Sequence, residues 1–174
     1  MTAEKPGSRE PGDSRTFRSA LWRAGAVLLA GLAGTLAHTL LMSLKAASGL
    51  LPAFQPYAAL QRVLADALLG GAWEPAGLPL LSYALSWFNG AVVAGFVFAR
   101  VYRRLPGGAG WRRGLAFGAG AWFVMGLAMF PALGLGPFGW AAGGAGAAAF
   151  SLAMLLAYGG AMGAAYGALR PDAR

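Results

Sequence analysis

The chain has 174 residues, 57% of them hydrophobic and only 11% charged, with a mean hydropathy of +0.56 and a formal net charge of +8. An average soluble domain carries about 25% charged residues, and here the apolar residues run on without the polar faces that water requires, so an aqueous fold is excluded. Cysteine is absent, which removes disulfides, thiolate metal sites, iron–sulfur clusters and Cys nucleophiles.

Residues 1–17 are rich in Gly, Pro, Ser and charge and read as a disordered tail, followed by a membrane domain over residues 18–170. A helix needs about 20 apolar residues to cross about 30 Å of hydrocarbon. Four charge-free segments meet that length, at about 24–44, 78–99, 114–133 and 143–169. The first is too long for the apolar part of a cleaved signal peptide and lacks a small-x-small exit, so it is kept as a span. The fold class is therefore an all-α membrane protein, a bundle of four transmembrane helices.

Lys and Arg in the short loops set the direction. Lys5, Arg9, Arg15, Arg18 and Arg23 precede the first span, and Arg100, Arg103, Arg104, Arg112 and Arg113 lie between the second and third. The loop after the third span is uncharged, and the first loop balances Lys45 and Arg62 against Asp66 and Glu74. Four spans with both termini cytoplasmic satisfy all of these segments, and an odd number does not. The same count accounts for the net charge through lipid head groups and insertion bias, and no basic stripe carries interleaved aromatics, so no nucleic-acid partner is expected.

Within the first loop, Leu60, Val63, Leu64, Ala67 and Leu68 recur at three and four while Gln61, Arg62 and Asp66 fall opposite. An amphipathic interfacial helix is expected over 56–69, either as a lid packed on the bundle or as a gate over an outward cavity. Trp22-Arg23-x-Gly25 also echoes Trp111-Arg112-x-Gly114, and Gly90-Ala91 echoes Gly160-Ala161, which would relate the two hairpins as a parallel repeat. Trp22, Trp73, Tyr102, Trp111 and Trp140 fall near span ends and read as interfacial anchors.

Lipid gives helices no hydrophobic reason to associate, so close packing must come from small residues on one face. Gly159, Gly163 and Gly167 recur every four residues, Gly114 and Gly118 (after Gly110) open the third span, and Gly31 and Gly34 lie in the first. These seams join helices within one bundle; a seam left outside would instead make a homodimer.

Polar residues inside the apolar layer are few and are the functional candidates. Thr35, His38 and Thr39 share one face of the first span, Ser82, Ser86 and Asn89 one face of the second, and Ser151 and Tyr158 lie in the fourth. Two readings stay open. Interhelical hydrogen bonds between Thr35 and Asn89, or His38 and Ser86 or Ser82, would make the set structural glue; alternatively Thr35, His38, Thr39, Ser86, Asn89 and Tyr158 line a ligand pocket. Lys45, just beyond His38, either snorkels to the surface or holds an anionic head group.

Reaction chemistry finds no complete set. The layer has no Asp or Glu for a proton relay, His38 is the only histidine, and no three metal ligands cluster, so no catalytic residue, cofactor or metal is expected. The residues point to a non-enzymatic multi-pass protein, a small subunit or assembly partner in the membrane. Its partners would be lipids and either a second copy or another membrane protein. The alternative is a binder or carrier of a small hydrophobic molecule in the pocket around His38.

The pattern Gly31-x-x-Gly34-Thr35 … Met42-x-x-Lys45-Ala46-x-x-Gly49-Leu50-x-Pro52, then Leu105-Pro106-Gly107, Gly118-x-Gly120-Ala121-Trp122-x-Val124-Met125 and Tyr158-Gly159-x-x-x-Gly163-x-x-Tyr166-Gly167, resembles a family of small bacterial membrane proteins known only as a domain of unknown function. The likeness covers residues 21–169. It implies a four-helix protein of the bacterial inner membrane and supplies no activity and no catalytic residue.

Overall fold

The computed structural model describes residues 12–49, 60, 63, 66 and 78–170, and everything described is helix or short connection. Four helices are long and apolar enough to cross a membrane, at Phe17–Ser48, Tyr83–Arg104, Gly110–Ala132 and Pro137–Leu169. The first, α1, runs Gly12–Ser48 and so begins inside the segment read as a tail. The second, α2, consists of Leu78–Phe88, a π-helical turn Asn89–Val93 and Ala94–Val101. The third, α3, consists of Gly110–Val124, a second π turn Met125–Met129 and a final Phe130–Ala132. The fourth, α4, runs Trp140–Leu169 with a break at Gly143 and Gly144, where the second glycine has a φ of 58°. Of the expected interfacial helix only Leu60, Val63 and Asp66 are described, each helical; the rest of it, with Trp73, lies outside the described residues.

Backbone neighbours run α2–α1–α4–α3, with α3 and α4 the most closely packed pair. Glycine is what permits that approach. A Cβ on Gly114 would overlap the Gly159 carbonyl, one on Gly110 the Gly163 carbonyl, and one on Gly118 the Leu155 carbonyl. The every-fourth-residue glycines of α4 therefore face the glycines that open α3, and backbone meets backbone without side chains between. On the other side, Gly31 of α1 lies against the Ala91 carbonyl in the π turn of α2, and Gly95 of α2 packs on Val27. The two closest approaches, Gly31 with Ala91 and Gly114 with Gly159, are not equivalent under the internal echo, which would pair Gly31 with Gly120. The π turns also fall on α2 and α3, which the echo does not match to one another. Both facts count against the repeat.

At the end that carries the arginines, all four helices meet around a buried cluster of Ala30, Phe98, Tyr102, Tyr158 and Met162. Phe98 and Met162 are fully enclosed. Phe98 takes edge-on contacts with Tyr102, Phe117 and Tyr166 at centroid distances of 5.3, 5.2 and 5.7 Å, an arrangement that sets each ring edge against its neighbour's face. Tyr102 is 4% exposed and so belongs to this core rather than to the interfacial anchors; Trp22, Trp111 and Trp140 do stand exposed. Sequence position placed all four near helix ends, but only Tyr102 points inward.

The opposite end closes differently. The turn after α3 contains Gly134, Gly136 and Gly139, all at positive φ, and holds Phe138 at φ 55°, a conformation uncommon for a residue with a side chain. The Phe138 ring lies 4.3 Å from Trp122 and fills the space left by Gly126 in the π turn of α3. Trp122 in turn donates its indole N–H to Ser151 Oγ at 2.9 Å, and Ser151 donates to the Ala148 carbonyl. Replacing Ser151 with Ala removes the acceptor for that indole. It should lower thermal stability in detergent by about 1–2 kcal/mol without altering the oligomeric state, since interhelical hydrogen bonds in membranes have magnitudes of this order. A melting curve alongside Ser43→Ala checks this, because among the described residues the Ser43 hydroxyl bonds within its own helix.

Candidate functional site

Three hydroxyls along α1 are bonded to their own helix. Thr35 Oγ1 donates to the Gly31 carbonyl at 2.9 Å, Thr39 Oγ1 to the Thr35 carbonyl at 2.8 Å and Ser43 Oγ to the Thr39 carbonyl at 3.0 Å. Each bond runs back one turn, the route by which Ser and Thr satisfy themselves inside apolar helices. Across the interface the Thr35 hydroxyl faces Gly90, the residue next to Asn89. A Cβ on Gly90 would lie 2.6 Å from Thr35 Oγ1, so the absent side chain makes room for the hydroxyl. Asn89 itself is exposed, one residue around the helix from that contact.

Tyr158 of α4 completes the junction. It is buried, its ring packs on the flat surface offered by Gly34, and its hydroxyl donates to the Gly90 carbonyl at 2.6 Å. Gly90 lies within the π turn, where the amide of Ala94 reaches back five residues to the Asn89 carbonyl. Such turns are frequent at functional sites because they alter which groups of a helix face outward. Here three helices, α1, α2 and α4, are tied through Thr35, Gly34, Gly90 and Tyr158. Tyr158→Phe keeps the ring on Gly34 and removes the hydroxyl that bonds to Gly90, so a loss of about 0.6–1.7 kcal/mol is expected in reversible unfolding, with the bundle otherwise intact.

The six residues assigned to a ligand pocket have different surroundings. Thr35 and Tyr158 converge on Gly90; Thr39 bonds to the Thr35 carbonyl; Asn89 is exposed; Ser86 and His38 are half-buried, and no hydrogen bond joins those two among the described residues. The side chain of Ser82 lies outside the described residues. Gly34 lies against the Tyr158 ring and Gly90 against the Thr35 hydroxyl. Lys45 neither extends freely nor stands open at the surface: it is 9% exposed and its ammonium lies 5.2 Å from the centre of the Phe150 ring on α4. No group of three or more His, Cys, Asp or Glu that could hold a metal exists among the described residues.

Sizeable cavities open instead at the arginine-bearing end. One of about 530 Å³ is lined by Arg23, Arg100, Arg103, Arg104 and Arg170 with Ala26, Ala99 and two tyrosines as its walls. A second, of about 440 Å³, shares Tyr102 and Arg170 and adds Arg113. Tyr102 is clasped from two directions, by the guanidinium of Arg113 at 4.7 Å and that of Arg170 at 4.8 Å from the ring centre. Arg113 is fixed further by a 2.7 Å hydrogen bond from Nε to the Gly107 carbonyl, in a turn where Gly107 has a φ of 114°. Counting charges located these arginines on loops. It could not show that they converge, because convergence depends on how α1, α2 and α4 cross.

Four long apolar helices, small-residue seams and a layer without acids define a multi-pass membrane protein. Residues 22–174 match the family of unknown function DUF6789, and the chain belongs to that family. No curated protein and no solved structure matches it.

Proposed function

We propose that the protein is a non-enzymatic subunit or assembly partner of the bacterial cytoplasmic membrane, with both termini and the arginine-bearing end in the cytoplasm. The direction rests on the arginine bias between the two ends. The functional reading rests chiefly on one observation: in the apolar layer Thr35, Thr39, Trp122, Ser151 and Tyr158 all spend their polar groups on the bundle itself. A layer arranged in this way supports a scaffold. Along α1, Leu28, Leu32, Leu36, Leu40 and Leu44 form an exposed stripe at a spacing of four, a surface suited to lipid or to a partner helix.

Gentle detergent extraction followed by native mass spectrometry and comparison with a deletion strain tests this reading. Co-purification with another membrane protein, or with a second copy, is expected, together with loss of that assembly in the deletion strain. A lone chain and unchanged membrane complexes would contradict it.

A further inference from the structure

We infer that the arginine groove is a binding site for a phosphate-bearing anion, presented as the head group of an anionic lipid. The inference does not depend on whether the protein is an assembly partner.

The groove draws its cations from separate parts of the chain. Arg23 comes from α1, Arg100, Arg103 and Arg104 from the end of α2, and Arg170 from the end of α4. Among the described residues no Asp or Glu lines either cavity, and Arg23, Arg100 and Arg104 make no salt bridge. Like charges gathered around one concavity repel, and a bound anion relieves that repulsion. Guanidinium groups suit a phosphate in particular, since each can present two parallel N–H donors to two oxygens. Arg113 and Arg170, stacked on Tyr102, hold part of the wall in place before any ligand arrives.

Topology alone does not require this convergence. Arg18 and Arg112 contribute equally to the inside charge, yet neither lines either of these two cavities, and Arg112 lies over the neighbouring Trp111 ring instead. The groove lies where the spans end, at the depth of lipid head groups, and its walls of alanine and tyrosine can accept the start of an acyl chain.

The test uses the purified full chain in a neutral detergent, titrated with short-chain phosphatidylglycerol, with phosphatidylcholine of the same chain length and with inorganic phosphate. Phosphatidylglycerol should bind saturably and at least roughly tenfold more tightly than phosphatidylcholine. The triple variant Arg23→Gln, Arg100→Gln, Arg104→Gln should weaken binding by roughly a hundredfold, at about fivefold per arginine. Arg18→Gln with Arg112→Gln should change it less than about twofold, by the same charge argument applied to residues outside the groove. Should the triple variant fail to insert, Arg100→Lys with Arg104→Lys keeps the charge that governs insertion, loses the two-pronged donors and should still weaken binding measurably. Inorganic phosphate binding as tightly as the lipid would keep the site and assign it to the free anion. Equal affinity for the two lipids, or equal losses in the groove and control variants, would overturn the inference.

Discussion

Gly114→Leu should drive α3 away from α4 and leave a chain that inserts but does not hold its bundle. Gly114 sits where the two backbones touch, with a would-be Cβ overlapping the Gly159 carbonyl and lying 2.9 Å from Gly163 Cα. The obstacle is main chain on both sides, so no rotamer change can absorb the added atoms. Overpacking a tight site typically costs about 1–3 kcal/mol, and this site, blocked by backbone, should fall at or above the upper figure. Gly114→Ala should show a smaller loss of the same sign. Gly25→Ala and Gly120→Ala are the controls: both glycines are helical, nothing lies within 4 Å of either added carbon, and each should be neutral or gain up to about 1 kcal/mol. Reversible unfolding in detergent, followed by the intrinsic tryptophan emission of the chain, reads the difference. Equal behaviour of Gly114→Ala and Gly120→Ala would remove the seam from the account.

Gly31→Leu should have the second largest effect and act on the other side of the bundle. Gly31 lies against the Ala91 carbonyl in the π turn of α2, and the Gly31 carbonyl is also the acceptor for Thr35 Oγ1. Displacing α1 from this turn would carry Thr35 away from Gly90 and Gly34 away from the Tyr158 ring, so one substitution disturbs three helices. A loss of about 3 kcal/mol is expected, with coupling to Tyr158→Phe. The double variant should lose less than the sum of the two single losses, because the Tyr158 hydrogen bond is already weakened once the junction opens. Strict additivity would mean that the two contacts are independent.

How much of this could be read from residues alone follows from range. Span number and placement need only the apolar runs and the arginines, and the helices at 17–48, 83–104, 110–132 and 137–169 overlap the four segments inferred from hydropathy. The glycine period of α4 was visible in the same way, but which helix it would face was not, since α1, α2 and α3 all carry small residues. Polar pairing was the least legible. Depth placed Thr35 at the level of Asn89, but which residue of that turn meets the Thr35 hydroxyl, here Gly90, depends on how the two helices rotate, and a hydroxyl can always turn back to its own helix. Neither π turn has a signature in the sequence that periodicity could expose. Phe138 was hidden for a related reason: a phenylalanine at positive φ between glycines reads as an ordinary turn residue until its ring is found on Gly126.

The most direct test of four crossings of a bilayer uses the absence of cysteine in this chain. Single variants Ala109→Cys, in the exposed loop between α2 and α3, and Ala132→Cys, at the exposed end of α3, each introduce one thiol. Treated with a membrane-impermeant maleimide on intact spheroplasts, Ala132→Cys should label at once and Ala109→Cys only after the membrane is opened. Labelling of both thiols from the same side would contradict the account.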